Sequence, residues 1–287
     1  MMHEMTKNHP KLTVSVVVPV YNEEDTIIPC LEALLSQAEP ADEIIVVDNN
    51  SIDGTHALLE EYKHKIRIID EPKTGVVFAR TTGFNAAKGD IIGRIDADTR
   101  VTPHWVAELR RIFAHPGIAA TTGAIHYYDL PRFFNLVDKH LRAFSAVNKE
   151  DAIFLHGSNM AIRKSAWQAV RAELCLRKGV HEDLDLAVHL QLQKQRIFYA
   201  PRLVVSISAR RLNDTWPDMR DYAMSNMHTY EVHHLKRKRT TILVAFALIA
   251  TYLPLRAIHR GYDPHRRRLS LRRMVFARPK ARKSPLN

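Results

Sequence analysis

The chain has 287 residues, of which 46% are hydrophobic, and carries a formal net charge of +11. That is enough apolar material for a substantial core, as one large domain or two small ones. Residues 236–287 hold fifteen Lys/Arg against one acid, Asp263, whereas residues 1–235 hold 27 basic and 30 acidic side chains, so the body gives no support to nucleic-acid binding.

Residues 1–11 form a polar N-terminal segment without an apolar stretch, and no signal peptide is expected there. Leu12 to Val20 is β-branched, continuous and apolar, the pattern of a parallel strand buried on both faces. A helix is predicted from the acidic stretch Asn22-Glu23-Glu24-Asp25 through Ile27, Leu31 and Leu35. Glu43 to Asp48 reads as a second strand, followed by the loop Asn49 to Gly54 and a helix over 55–62. Ile66 to Asp70 is a short third strand, Gly75 to Lys88 a helix, and Ile91 to Ile95 a buried strand. Thr99 to Pro103 reads as a turn into the next helix. Strands and helices alternating at this spacing predict βαβ units and a mainly parallel, Rossmann-like α/β sheet flanked by helices.

Asp96-Ala97-Asp98 follows the Ile91–Ile95 strand directly. Two carboxylates two residues apart, at the carboxyl end of a strand in such a sheet, lie where α/β proteins bind ligands. Hard oxygen donors of this kind suit Mn²⁺ or Mg²⁺ bridging to a diphosphate. No Walker-type glycine loop and no G-x-G-x-x-G follows the first strand, which counts against a P-loop NTPase and a dinucleotide-binding dehydrogenase. Asp48 at its strand end reads as a turn cap, Glu23 as a first-turn acid meeting the helix dipole, and Asp53 as a helix N-terminal residue. Cys30 and Cys175 form neither a disulfide framework nor a metal cluster by spacing. Among sixteen histidines no zinc spacing stands out, and His233-His234, followed by basic residues, reads as a solvated surface pair.

Val16-Val17-Val18-Pro19-Val20-Tyr21-Asn22-Glu23-Glu24, Ile45 to Thr55, Asp96-Ala97-Asp98 and His181-Glu182-Asp183-Leu184-Asp185 resemble, in order, the signatures of glycosyltransferase family 2. The similarity runs over roughly residues 12–211. It implies a GT-A fold in a domain over 12–235, a nucleotide-sugar donor of the UDP, GDP or dTDP class, a divalent metal, and inversion at the anomeric carbon. It also implies roles for individual residues. Asp96 and Asp98 become the metal ligands, and Pro19, Tyr21, Glu23 and Asp48 line the nucleotide pocket. Arg80 matches a basic position near the donor, with a solvated helix arginine as the equal alternative. Asp183 becomes the general base, with Glu182 and Asp185 as alternatives and Glu182 also placed in the donor site. Leu155 to Lys164 resembles the segment G-x-N-x-A-x-R beside the donor sugar, in which Gly157 permits close approach and Asn159 bonds a sugar hydroxyl. The arginine pair at 210–211 is placed to reach the diphosphate or an anionic acceptor. The Q-x-x-R-W motif of processive synthases is absent, since Ile197 follows Arg196, so single additions are expected.

The basic tail, 236–287, contains the apolar run 242–255. As a helix this run measures about 21 Å, short of the ~30 Å of hydrocarbon in a bilayer. Basic residues flank it on both sides, which favours a helix lying on anionic headgroups, with a short span with snorkelling flanks and a packed core helix as the alternatives. Phe133, Leu136, Val137, Leu141 and Phe144 share helical spacing and read as core or as an acceptor-side apolar face. The combined expectation is an inverting glycosyltransferase, cytoplasmic and peripheral on the inner face of the cell membrane, acting on a lipid-linked or cell-envelope glycan. The alternative is a catalytically silent GT-A-like scaffold whose basic tail binds membrane or nucleic acid.

Overall fold

Val14–Val20 form β1, which is buried along its whole length. Its even-numbered valines enter one apolar layer and Val17 the other, which is why the sequence there shows no polar alternation. The computed structural model describes residues 11–134, 151–175, 177, 179–235, 239–264 and 266–276. The next strands are β2 (Glu43–Asp48), β3 (Arg67–Asp70), β4 (Ile91–Arg94) and β5 (Arg100–Val101). They are followed by β6 (Ala120–Tyr127), β7 (Met160–Arg163) and β8 (Ile197–Ile207). All eight join one sheet in the order β3-β2-β1-β4-β7-β6-β8-β5.

The half built from β3, β2, β1 and β4 is parallel, as the βαβ spacing predicts. The other half is mixed, within a sheet that is mostly parallel as expected: β7 runs antiparallel to both β4 and β6, and β5 antiparallel to β8, while β6 and β8 are parallel. The helices are α1 (Ile27–Leu35), α2 (Thr55–Glu61), α3 (Val76–Ala86), α4 (Trp105–Phe113), α5 (Lys164–Val170), α6 (Glu182–Leu192) and α7 (Trp216–Val232). A 3₁₀ turn spans Arg210–Asn213. One face of the sheet packs Ile27, Leu31 and Leu34 of α1 with Trp105 and Leu109 of α4. The opposite face packs Phe84 of α3, Trp167 of α5 and Leu186 and Leu190 of α6. Each such side chain contributes roughly 1.5–3 kcal/mol by leaving water.

Pro19 sits inside this central strand, opposite Val47. The β1–β4 pairing ends at Val17 and Arg94, and the Val17 carbonyl accepts from Ile95. Pro19, two residues on, turns its nitrogen to the same side, beyond the end of β4, so the missing N–H leaves no ladder bond unmade. The strand ends there because Asn22 takes a left-handed conformation, φ 54°, with its side-chain oxygen accepting from the Ile52 amide at 2.8 Å.

The tail forms α8 (Arg239–Gly261), a two-stranded ribbon of β9 (Tyr262–Asp263) with β10 (Arg268–Leu269), and α9 (Leu271–Phe276). The helix is longer than the predicted run at 242–255, continuing into the polar and basic flanks on both sides, and it accommodates Pro254 inside it. It docks through Ala245 and Tyr252, which are buried, and leaves Leu243, Phe246 and Leu253 more than 60% exposed. The expectation of a packed core helix is therefore met on one face only. Among the described residues, no helix is long and apolar enough to cross a membrane. The stripe expected over Phe133 to Phe144 lies, from residue 135 onward, outside the described residues.

Candidate active site

Arg94 ends β4 and is 2% exposed. A guanidinium in that position is costly unless it is paired. Two residues along the chain, on the same side of the strand line, Asp96 accepts from Arg94 Nη2 at 3.1 Å. From the other side, the first turn of α6 brings Glu182 Oε1 and Asp183 Oδ1, each 2.5 Å from Nη1. One buried arginine thus ties the D-x-D triplet to the E-D pair across 86 residues of chain. Gly157 lies against the back of this arginine: a Cβ there would come within 2.6 Å of the guanidinium carbon. Its amide donates to Asp183 Oδ2 at 2.7 Å. The close approach allowed by Gly157 therefore serves Arg94 and Asp183 in this structure.

The two acids of the pair titrate in opposite directions. Burial works against an ionised Glu182, but Arg94 and Arg80 outweigh it and hold the carboxyl at about 2. Burial raises Asp183, Arg94 opposes, and the charges of Glu182 and Asp96 add to the rise, leaving it at about 7. Its side chain keeps about a tenth of its surface exposed. Environments that push neighbouring carboxyl groups apart in this way separate acid–base roles. Just before them, burial lowers His181 to about 4, so its imidazole is neutral at pH 7.

The second acid of the triplet has a different partner. Arg210, in the 3₁₀ turn, sets Nε 2.9 Å from Asp98 Oδ2 and clasps Glu23 through both Nη atoms at 2.5 and 2.6 Å. Glu23 also accepts from Thr26 Oγ1 at 2.6 Å. Tyr128 donates to the Asp98 carbonyl at 3.3 Å, and burial, then Asp98, push its phenol up to about 12. Cys30 lies fully buried beneath the triplet with its thiol on the Asp96 carbonyl at 3.7 Å. Burial, reinforced by Asp98, Asp96 and Glu23, holds that thiol protonated.

Around this cluster stand five carboxyl groups (Glu23, Asp96, Asp98, Glu182 and Asp183) and three guanidinium groups (Arg80, Arg94 and Arg210). Negative charge is in excess, and Asp96 keeps 43% of its side chain exposed. An all-oxygen, net-negative edge of this kind fits Mn²⁺ or Mg²⁺. Asp96 and Asp98 are the residues that would hold the ion, with Arg210 giving up its contact to Asp98.

Several expected site residues stand elsewhere. Asn159 is fully buried; its Oδ1 accepts from Trp105 Nε1, and its Nδ2 donates to the carbonyls of Ala124 and Leu203. It braces α4 against β6 and β8, so it corrects the expectation of a sugar contact: both amide hydrogens are already used inside the core. Arg80 is likewise 0% exposed and pairs with Glu182 at 3.1 Å. It is neither a solvated helix arginine nor exposed to a donor; it supports the E-D turn from below. Pro19 is buried within β1, so only its backbone neighbourhood borders the edge. Asp48 caps its turn, accepting from Ser51 N at 3.0 Å, and meets His56 Nδ1 at 3.0 Å. The Asp48 hydrogen bond raises the His56 pKa. Asp53 accepts from the Thr55 amide at 3.0 Å, as a helix N-terminal residue does. Tyr21 is half-buried just past β1.

Sequence reasoning missed Arg94 and His56. Arg94 had a signal: a lone charge inside the apolar strand Ile91–Ile95, two residues before an acidic triplet. His56 had none, because its link to Asp48 depends on how α2 returns over β2.

A parallel half, β3-β2-β1-β4, with acids at its carboxyl edge is an α/β fold whose ligand-binding edge is acidic. The family model for glycosyl transferase family 2 matches residues 15–173, and the chain belongs to that family. It is 32% identical over 120 residues to glycosyltransferase AglE of Haloferax volcanii, covering 40% of each chain. It is 38% identical over 104 residues to the undecaprenyl-phosphate 4-deoxy-4-formamido-L-arabinose transferase of Proteus mirabilis, covering 33% of this chain and 32% of that one. The chain thus spans 40% or less of these curated relatives. Among solved structures, the mannosyltransferase PcManGT of Pyrobaculum calidifontis, in complex with GDP-Man and Mn²⁺, superposes with a TM-score of 0.65 at 21% identity, covering 87% of this chain and 72% of that one. TarS of S. aureus in complex with UDP-GlcNAc gives a TM-score of 0.57 at 16% identity, covering 84% and 81%. Both likenesses establish the GT-A fold.

Proposed function

We propose that this chain is an inverting glycosyltransferase that moves a sugar from a nucleotide-diphosphate donor to an acceptor hydroxyl, carried by a lipid-linked or cell-envelope glycan. The observation that carries the reading is the convergence of Asp96, Glu182 and Asp183 on buried Arg94, beside the Asp98–Arg210–Glu23 cluster. Tyr21, Glu23 and Asp48 border the nucleoside end. A metal on Asp96 and Asp98, when bound, supplies neutralising charge to the departing diphosphate. Asp183 takes the proton of the acceptor hydroxyl as that oxygen bonds the anomeric carbon. The anomeric C–O bond to the diphosphate breaks on the opposite face, and its electron pair leaves with the nucleoside diphosphate. Glu182, locked ionised between two arginines, is the poorer base, and Asp185 is occupied by His233. The GDP-Man and UDP-GlcNAc complexes of the two solved neighbours support a donor of nucleotide-sugar class, and the Proteus relative's name supports an undecaprenyl-phosphate type of acceptor.

Thermal unfolding against UDP-, GDP- and dTDP-sugars, with and without Mn²⁺, tests the donor site. At a hundred times its dissociation constant a ligand stabilises the fold by about 2.7 kcal/mol, a rise of several degrees in a domain this size. The expected result is a metal-dependent shift with one nucleotide class, lost in Asp98→Asn. No shift with any donor overturns the reading.

The tail supports membrane contact. Leu243, Phe246 and Leu253 of α8 and Leu271 and Phe276 of α9 are exposed together with a strongly basic sequence, which suits an anionic lipid surface. Flotation with vesicles containing phosphatidylglycerol should carry the protein up at low salt. Leu243→Ser with Phe246→Ser should weaken it severalfold; no flotation with the anionic vesicles would rule the contact out, and equal recovery with neutral vesicles would remove the basic residues from it.

A further inference from the structure

Two residues past Asp183, α6 turns a second set of functional side chains toward α7. Asp185 and His189 are four residues apart, on one face of the helix. His233 closes the C-terminal end of α7, and Cys175 lies in the connection between α5 and α6. Their donor atoms all lie within 4.8 Å of one another. Cys175 Sγ is 3.9 Å from His233 Nε2, His233 Nε2 is 2.6 Å from Asp185 Oδ1, and His189 Nε2 is 3.6 Å from the same oxygen. Four ligand atoms around a tetrahedral Zn²⁺, with bonds of about 2.0–2.3 Å, stand roughly 3.3–3.8 Å apart. Of these three distances, only the Asp185–His233 hydrogen bond is shorter than that and has to open.

A buried Asp–His pair explains part of this arrangement without a metal, but it leaves His189 unexplained. That side chain is 91% buried, and among the described residues neither ring nitrogen makes a hydrogen bond. Its Nε2 faces the Asp185 oxygen, while Nδ1 lies 3.4 Å from Glu173 Oε2. One imidazole nitrogen directed into a ligand set and the other toward an outer carboxylate is the arrangement that orients a metal-bound histidine.

We propose that Cys175, Asp185, His189 and His233 form a structural zinc site that fastens the Asp183-bearing helix α6 to the end of α7. One thiolate, two imidazoles and one carboxylate make a donor set of the softness Zn²⁺ prefers. It differs in kind from the all-oxygen edge at Asp96 and Asp98. The chain spacing, 175–185–189–233, follows no short zinc motif, and only the docking of α7 on α6 brings the four together. The reading of His233 as a solvated surface residue is corrected here: its side chain is 8% exposed. So is the exclusion of Cys175 from any cluster.

The test is a Co²⁺ titration of the full-length protein, stripped with chelator, followed by displacement with Zn²⁺. The expected result is a thiolate-to-Co²⁺ charge-transfer band that saturates at one ion per chain and is removed by zinc. Asp98→Asn should leave that band intact, because an oxygen-only site cannot produce it. Cys175→Ser should abolish it, and Glu173→Gln, at an exposed outer position, should weaken zinc binding about 10–100-fold. If Cys175→Ser fails to fold, the wild-type band and the Glu173→Gln affinity decide. A folded wild type with no thiolate band, or a band that survives in Cys175→Ser, overturns the site. None of these readouts involves sugar transfer, so they stand or fall independently of the transferase reading.

Discussion

Asp183→Asn should lower sugar transfer by about 10²–10⁴-fold, the usual share of a positioned base, while donor binding and its metal-dependent thermal shift persist. The geometry behind this is specific. The Asn oxygen can still accept from the Gly157 amide, which sits 2.7 Å from the carboxylate, while its Nδ2 then faces Arg94 and gives up that bond, so the turn keeps one of its two anchors. The pH profile separates a base from a structural prop. With Asp183 at about 7, wild-type kcat/KM should climb about tenfold per pH unit below neutrality and level off above it. The residual activity of the variant should lack that limb.

The same shift has a stability signature. Folded Asp183 keeps its proton to about 7, whereas an unfolded Asp releases it near 3.9. The folded state binds more protons across that window, so this group makes the wild type lose stability as pH rises from about 4 to 7. The variant has no such group. In urea titrations, Asp183→Asn should therefore gain on the wild type between pH 5 and pH 8. A constant difference at the two pH values, with transfer near wild type, would remove Asp183 from the mechanism.

The second large effect is expected at Arg94. Arg94→Met keeps much of the side-chain volume but strands Asp96, Glu182 and Asp183, whose contacts with Arg94 are 3.1, 2.5 and 2.5 Å. Removing one partner from a buried ionic network costs about 3–5 kcal/mol, a fall of about ten degrees in thermal midpoint for a domain this size. The sign with pH is fixed by Glu182. Its folded value of about 2 against an unfolded value near 4.3 means that its stabilisation is present above about pH 4.3 and is lost as pH falls toward 2. Arg94→Met removes much of that contribution. The gap between variant and wild type should be widest near pH 7 and close in acid. A gap that stays level from pH 5 down to pH 2 would show that packing, not charge, holds this junction.

Much of the fold was legible because its signals are local. A β-branched run without alternation means a strand buried on both faces, and β1 at Val14–Val20 is one. Glu43–Asp48 and Ile91–Arg94 are likewise strands within a residue or so of their apolar runs. The antiparallel half of the sheet was not legible, because β7 is only four residues long and its direction depends on which edge of β4 is left open. The site divides along the same line. Asp96 and Asp98 announce themselves by following a strand, and Glu182 and Asp183 by opening a helix. What each carboxylate does depends on its partner, and the partners lie far along the chain. Arg94 reaches Asp183, Arg210 reaches Glu23, and Asn159 is taken up by Trp105 before any sugar could meet it.

By itself, then, the sequence determined the order of strands and helices as far as residue 103, the acidic motifs at the strand and helix ends, and the basic, apolar tail. Those are written in side-chain periodicity and in residues adjacent along the chain. Tertiary structure alone decided which acid is held ionised and which is poised near neutrality, and it placed Cys175 beside His233. Burial and charge pairing are properties of neighbours in space, and here those neighbours are separated by as many as 187 positions in sequence.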